Sequence, residues 1–194
     1  MEIIARKITG LIITNNLNLT DLEIKKIEFG LTCIISELSK IFMFLIIFSV
    51  FSVTDYFLVG LAFFCSLRLV AGGYHDKTYW RCFATSLTIF TIIALTSSYI
   101  HLSTIQRLIL LLISFILVWR YAPVDHPNKP IISNIRRKKL RVLAVFLCIF
   151  FGVLSFLLRN DLSVAAVTAI FLEGLTLPLG VITKRGLENE NFKR

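Results

Sequence analysis

The chain has only four cysteines, and Cys33, Cys65, Cys82 and Cys148 form neither a CxxC pair nor a disulfide-like pattern, which argues against a cross-linked scaffold. Three of them lie in apolar segments and read as buried thiols; Cys82 alone sits beside charges. Near the start no uninterrupted apolar stretch precedes a small-residue site, so residues 1–16 do not read as a cleaved signal peptide. There is no internal repeat and no low-complexity tail, and the polar end, 187–194, is expected to fray. Acidic residues are scarce: 12 against 21 basic ones, for a net charge of +9.

What is abundant is apolar surface. Hydrophobic residues make up 56% of the chain, phenylalanine alone contributes 17, and the mean hydropathy is +0.80. A soluble globule of 194 residues cannot hide that much, so the expected fold is all-α, a polytopic membrane protein forming a single membrane domain over 1–194. Ile3, Ile4, Ile8, Leu11 and Ile12 fall on one helical face with Arg6 and Lys7 opposite, the signature of an amphipathic, interfacial helix within 1–28. Thr20-Asp21-Leu22-Glu23 reads as a capping box. Ile24, Ile27, Leu31, Ile34 and Leu38 carry an apolar stripe from there into the run 41–53. Five further runs follow, 56–71, 83–100, 108–119, 142–158 and 162–182, giving about six transmembrane helices. The first and fourth runs reach span length only by taking in Glu37 and Lys40, or Gln106 and Arg107, with the basic side chains expected to snorkel. The alternative is four spans with two segments lying flat.

The six-span arrangement predicts where positive charge should fall. With the N-terminus inside, the cytoplasmic side receives Arg6, Lys7, Lys25, Lys26, Lys77 and Arg81, the basic loop 120–141, and Lys184, Arg185, Lys193 and Arg194. The outer connections near Thr54, Leu102 and Asn160 contain only Arg159. The asymmetry fits the positive-inside rule, and it accounts for the basic balance without a nucleic-acid partner. The expected location is the cell membrane, multi-pass, with both termini and the loop 72–82 cytoplasmic, where thiols stay reduced.

That loop holds Gly72-Gly73-Tyr74-His75, with Cys82 seven residues after the histidine. A thiol becomes a nucleophile by losing its proton. Lys77 and Arg81 lie nearby, Cys82 opens an apolar helix at the positive end of its dipole, and His75 can take the proton and return it to a leaving amine. In a continuous helix the two side chains would stand about 10.5 Å apart along the axis, too far for proton transfer. The segment must therefore break, and Gly72-Gly73 is the place for it. Asp76 is poorly placed to orient its immediate neighbour. On spacing alone, an interfacial histidine and an ordinary cysteine explain the pair equally well. Zinc in a structural site takes about four protein ligands, and this loop offers two plus Asp76, so no metal and no cofactor are expected.

Arg68-x-x-x-Gly72-Gly73-Tyr74-His75-x6-Cys82 resembles the active-site region of the accessory gene regulator protein B (AgrB) family, quorum-sensing peptide-processing enzymes of Gram-positive bacteria. Ala122-Pro123-Val124-Asp125-His126-Pro127-Asn128-Lys129-Pro130-Ile131 is similar to a second family motif, with the basic cluster 136–141 after it, and Glu173-Gly174-Leu175-Thr176-Leu177-Pro178 is similar to the family's terminal span. The resemblance implies a cysteine endopeptidase acting on an AgrD-like propeptide, with His75 as base and Cys82 as nucleophile. It implies that Arg68, Gly72 and Gly73 support the loop. Cys82 would cut after the future ring and hold the peptide as a thioester, which an internal thiol or hydroxyl closes to a thiolactone or lactone. A homodimer is a further family-based expectation.

Other residues divide between ordinary and functional readings. Arg136, Arg137, Lys138 and Lys139 are explained by topology anchoring and anionic lipid; with Lys129, they are also the candidate docking site for an acidic propeptide tail. Glu173 lies mid-span, where a carboxylate is costly; it reads as a substrate contact, as a hydrogen-bond partner for a neighbouring helix, or as a carboxyl that stays protonated. Arg68 is near enough to the membrane edge to snorkel. Tyr79, Trp80, Trp119 and Tyr121 read as interface anchors. Two competing functions remain: a small transporter or peptide exporter, which asks for polar groups repeated across spans, and a non-catalytic membrane scaffold.

Overall fold

Helices in this chain start where the sequence supplies a cap. In a computed structural model of the chain, Thr20 accepts from the Glu23 amide while the Glu23 carboxylate reaches back to the Thr20 amide, so the expected capping box is formed. Ser103 and Gln106 form a second one. The structure describes residue 10 and residues 20–74, 78–125 and 133–192, with side chains up to Thr183. The amphipathic helix expected at the N-terminus lies outside the described residues, apart from Gly10.

Among the described residues the fold is all-α, with six long helices: α1 (Asp21–Val50), α2 (Thr54–Ala71), α3 (Tyr79–Tyr99), α4 (Thr104–Tyr121), α5 (Asn134–Ser155) and α6 (Asn160–Phe192). Five of them, α6 over Asn160–Thr183, are long and apolar enough to cross a membrane. The remaining one, α5, opens with Arg136, Arg137, Lys138, Lys139 and Arg141. Its apolar part, 142–155, is therefore only roughly 21 Å long, against a hydrocarbon core of about 30 Å.

Two compact units divide at residue 51, the first containing α1 and the second α2 to α6. Within α1, Lys40 pairs with Glu37 at 2.5 Å, which neutralises the charge that the span has to include. In the second unit α6 is central and packs against each of the other four helices. Residues 163–170 are buried all the way round, as a helix enclosed by neighbours must be. Against this core the other helices turn one face outward. On α4, Ile105, Leu108, Ile109, Leu112 and Ile116 are exposed, whereas Arg107, Ser114 and Val118 are buried. Apolar side chains outside and polar ones inside suit lipid as the solvent. Phe90 of α3 packs edge-on to Phe57 and Phe64 of α2, and Gly60 lets Ile93 come close between them.

Arg107 departs from expectation. Instead of snorkelling, it is turned inward, donates to Ser163 Oγ at 2.8 Å and lies over the Phe156 ring. Its helix position explains this, because Arg107 falls on the same face as buried Ser114 and Val118. Nearby, Tyr56 donates to Asp161, which Arg159 grips with two bonds of 2.7 Å. These contacts tie α2, α4 and α6 at one end of the second unit; the candidate site lies at the other.

Candidate active site

The helix break expected at Gly72-Gly73 is present. α2 stops at Ala71, closed by the Gly72 amide on the Arg68 carbonyl at 2.9 Å, and α3 begins only at Tyr79. Gly72 has φ 77° and ψ −143°, and Gly73 has φ 139°, backbone states that a side chain disfavours strongly.

Three separate stretches of sequence grip this break. The first is the segment after α4, which follows a cis Ala122–Pro123 bond. Val124 donates its amide to the Ala71 carbonyl at 2.8 Å, and Gly72 and Val124 pair as one rung of parallel β structure. A Cβ on Gly72 would stand 2.1 Å from the Val124 carbonyl oxygen. The second is α6: Gly180 presents no side chain to the Gly73 main chain, and a Cβ there would come within 2.9 Å of the Gly73 carbonyl carbon. The third is Arg68. Its Nη1 donates to Glu173 Oε2 at 3.2 Å and to Thr176 Oγ1 at 3.4 Å, while its Nη2 donates to the Tyr74 carbonyl. The guanidinium also lies over the Phe64 ring. Thr176 Oγ1 is 2.9 Å from the Glu173 carbonyl and 3.2 Å from Glu173 Oε2, so its single proton serves one of these acceptors. Glu173 has no exposed surface, and among the described residues no donor reaches its Oε1.

Cys82 occupies the first turn of α3, half-buried, with its amide bonded to the Thr78 carbonyl at 3.0 Å. Thr78 caps that helix by accepting from the Arg81 amide. The thiol thus sits in the first turn of a helix, next to the end of the Gly72–Gly73 break. His75, Asp76 and Lys77 lie outside the described residues, as do 126–132 with Lys129 and His126. Among the described residues no group of His, Cys, Asp and Glu is arranged to hold a metal ion.

The basic cluster is not one surface. Arg137 turns inward to the buried Asp125 carboxylate, and Arg141 donates from Nε to the Ala122 carbonyl at 2.8 Å. Both therefore brace the segment that carries Val124. Arg136, Lys138 and Lys139 remain exposed. Neither the Arg137–Asp125 pair nor the parts played by Thr176 and Gly180 were anticipated. One signal was present: Glu173, Thr176 and Gly180, at spacings of three and four, share one face of α6.

Long apolar helices enclosing a buried ion pair, with a glycine break and a helix-start thiol at one end, define the class: a helical, multi-pass membrane protein with a built polar site at the end of its spans. Comparison with known proteins gives the family. The family model described as Accessory gene regulator B matches residues 5–177, and the chain belongs to that family. It is 27% identical over 160 residues to a putative AgrB-like protein of Clostridium beijerinckii, covering 82% of this chain and 79% of that protein. It is also 27% identical to the accessory gene regulator protein B of Staphylococcus carnosus, over 81% of this chain and 82% of that protein. Against protein FsrB of Enterococcus faecalis the identity is 29%, over 86% of this chain and 69% of the relative. No solved structure matches the chain. Family membership supports a part for this protein in accessory gene regulator quorum sensing.

Proposed function

We propose that the chain is a membrane cysteine endopeptidase that cuts an AgrD-like propeptide and closes its ring, with Cys82 as nucleophile and His75 as general base. The observation that carries this reading is the helix break at Gly72-Gly73 in a chain of the accessory gene regulator B family. α2 ends at Ala71 and α3 begins at Tyr79 with Cys82 in its first turn, so no helix described here runs from residue 75 to residue 82.

In the proposed reaction His75 takes the Cys82 thiol proton, and the thiolate attacks the carbonyl of the scissile peptide bond. The carbon–nitrogen bond breaks, the His75 proton passes to the departing amine of the C-terminal tail, and the rest of the propeptide stays on Cys82 as a thioester. A thiol within the bound peptide then gives its proton to His75 and attacks the thioester. The thiolactone forms, and the Cys82 sulfur leaves and is reprotonated; a substrate hydroxyl gives a lactone by the same steps. Water must be kept away, since hydrolysis of the thioester yields a linear peptide. Arg136, Lys138 and Lys139 are the exposed cations suited to an acidic tail, and their charge supports a cytoplasmic placement of this end.

With a coexpressed propeptide, the Cys82→Ala and His75→Ala variants should leave the tail attached while the unaltered chain releases it. Cleavage by both variants at the unaltered rate would mean that the catalytic assignment is wrong. A mass increase on Cys82 equal to the N-terminal propeptide fragment, trapped with a substrate lacking its ring nucleophile, checks the intermediate.

A further inference from the structure

We infer that Glu173 is a positioning residue of the peptidase site, acting through Arg68 to fix the main chain that leads into His75. The inference rests on the proposed cysteine peptidase and adds to it a residue that is neither nucleophile nor base.

The argument begins with cost. A carboxylate near the middle of a span is expensive, and one with no exposed surface cannot recover that cost from water. Its compensation is local: the Arg68 guanidinium at 3.2 Å and the Thr176 hydroxyl at 3.2 Å. Arg68 does more than neutralise. One of its terminal nitrogens faces α6, and the other donates to the carbonyl of Tyr74, the residue immediately before His75. A planar guanidinium held by two partners on one side has little rotational freedom left on the other. The carboxylate therefore sets the orientation of the donor that holds the loop.

Packing supports the same role. Gly73 lies so close to this cluster that an added Cβ would stand 2.6 Å from Thr176 Oγ1, 3.0 Å from Arg68 Nη1 and 3.3 Å from Glu173 Oε1. Loop and ion pair thus form one packed unit. Direct contact with a peptide substrate is disfavoured by the complete burial of Glu173. A plain structural ion pair would alter how much protein folds; a positioning pair alters turnover in the protein that has folded.

The test uses the full chain, reconstituted in lipid nanodiscs, with a synthetic propeptide carrying an amphipathic N-terminal part, a central cysteine and an acidic tail. Glu173→Gln is expected to lower kcat roughly 10- to 100-fold, the scale of a misplacement of about 1 Å, with KM within about twofold. Glu173→Asp should recover part of the loss. Arg68→Gln combined with Glu173→Gln should lose no more than the worse single variant, since both act through one contact. That double variant buries no unpaired charge, so it carries the test if Glu173→Gln fails to fold; a kcat equal to the unaltered chain's in the double variant would overturn the inference. So would a Glu173→Gln protein with unchanged kcat, or one changed in KM alone, which would make Glu173 a substrate contact. Cys82→Ala is run beside them. If it is inactive while the Glu173 variants turn over normally, the inference fails and the peptidase reading stands; if Cys82→Ala still cleaves, both fall.

Discussion

Adjacent glycines at 72 and 73 meet different obstacles, and the difference predicts different failures. A methyl group on Gly72 would collide with the Val124 main chain, which can yield only by moving the whole segment. A methyl group on Gly73 meets the Thr176 hydroxyl and the Arg68 guanidinium, side-chain atoms with some freedom to shift. Gly72→Ala is therefore expected to lower thermal stability by about 1–3 kcal/mol, the cost of a strained backbone residue, and to reduce the yield of folded protein. Gly73→Ala carries the same backbone cost without the main-chain collision, and in the protein that folds it should lose roughly tenfold or more in cleavage, because it displaces the guanidinium that holds Tyr74. Thermal unfolding in detergent together with propeptide cleavage separates the two. At this scale the break itself was legible in the sequence: Gly-Gly next to a His–Cys spacing that no continuous helix can serve. The partner of Arg68 was not, because Glu173 lies 105 residues away and no periodic pattern connects the two. Read singly, the arginine looks like a snorkelling anchor, and the carboxylate like a substrate contact or a partner for some neighbouring helix that the sequence does not name.

At the scale of the element, α5 and α6 show how far a pattern reads. The six apolar runs located the six long helices among the described residues, since span length and hydropathy are properties of contiguous sequence. What they could not give is the direction in which each polar side chain faces, and this decides the role of the basic cluster. Arg136, Arg137, Lys138 and Lys139 are consecutive, yet Arg137 belongs to the Asp125 brace and the others face outward. The two groups should separate in kinetics. Replacing Arg136, Lys138 and Lys139 together by Gln is expected to raise KM for an acidic-tailed propeptide about tenfold, to weaken its salt dependence, and to leave kcat unchanged. Arg137→Gln leaves a buried carboxylate short of a charged partner, at a cost of about 1–3 kcal/mol. It should slow turnover of acidic and neutral-tailed substrates alike. Equal salt dependence in the triple variant and the unaltered chain would remove the docking role from the exposed cations.

For the molecule as a whole, the two ends of the second unit differ in how their charges are spent. At the end of Tyr56 and Asp161, the Arg159 side chain is paired with Asp161, so the one basic residue expected in the outer connections is neutralised on the spot. At the end of Val124 and Gly72, Arg136, Lys138 and Lys139 are exposed, as cations that face anionic lipid or an acidic tail would be. The expected orientation follows: in intact cells a membrane-impermeant maleimide should label a single cysteine placed at Ser103 and spare one placed at Ser133 until the membrane is opened. The reverse pattern would invert the topology and put the Gly72–Gly73 loop outside.

The Arg68–Glu173 pair also bears on how the protein is made. Arg68 precedes Glu173 by 105 residues, so in synthesis from the N-terminus the guanidinium is made before its carboxylate partner. An unaccompanied charge within a span resists insertion. The later helix thus carries the counter-charge of the earlier one, and the cluster that holds Tyr74 exists only once the two have met.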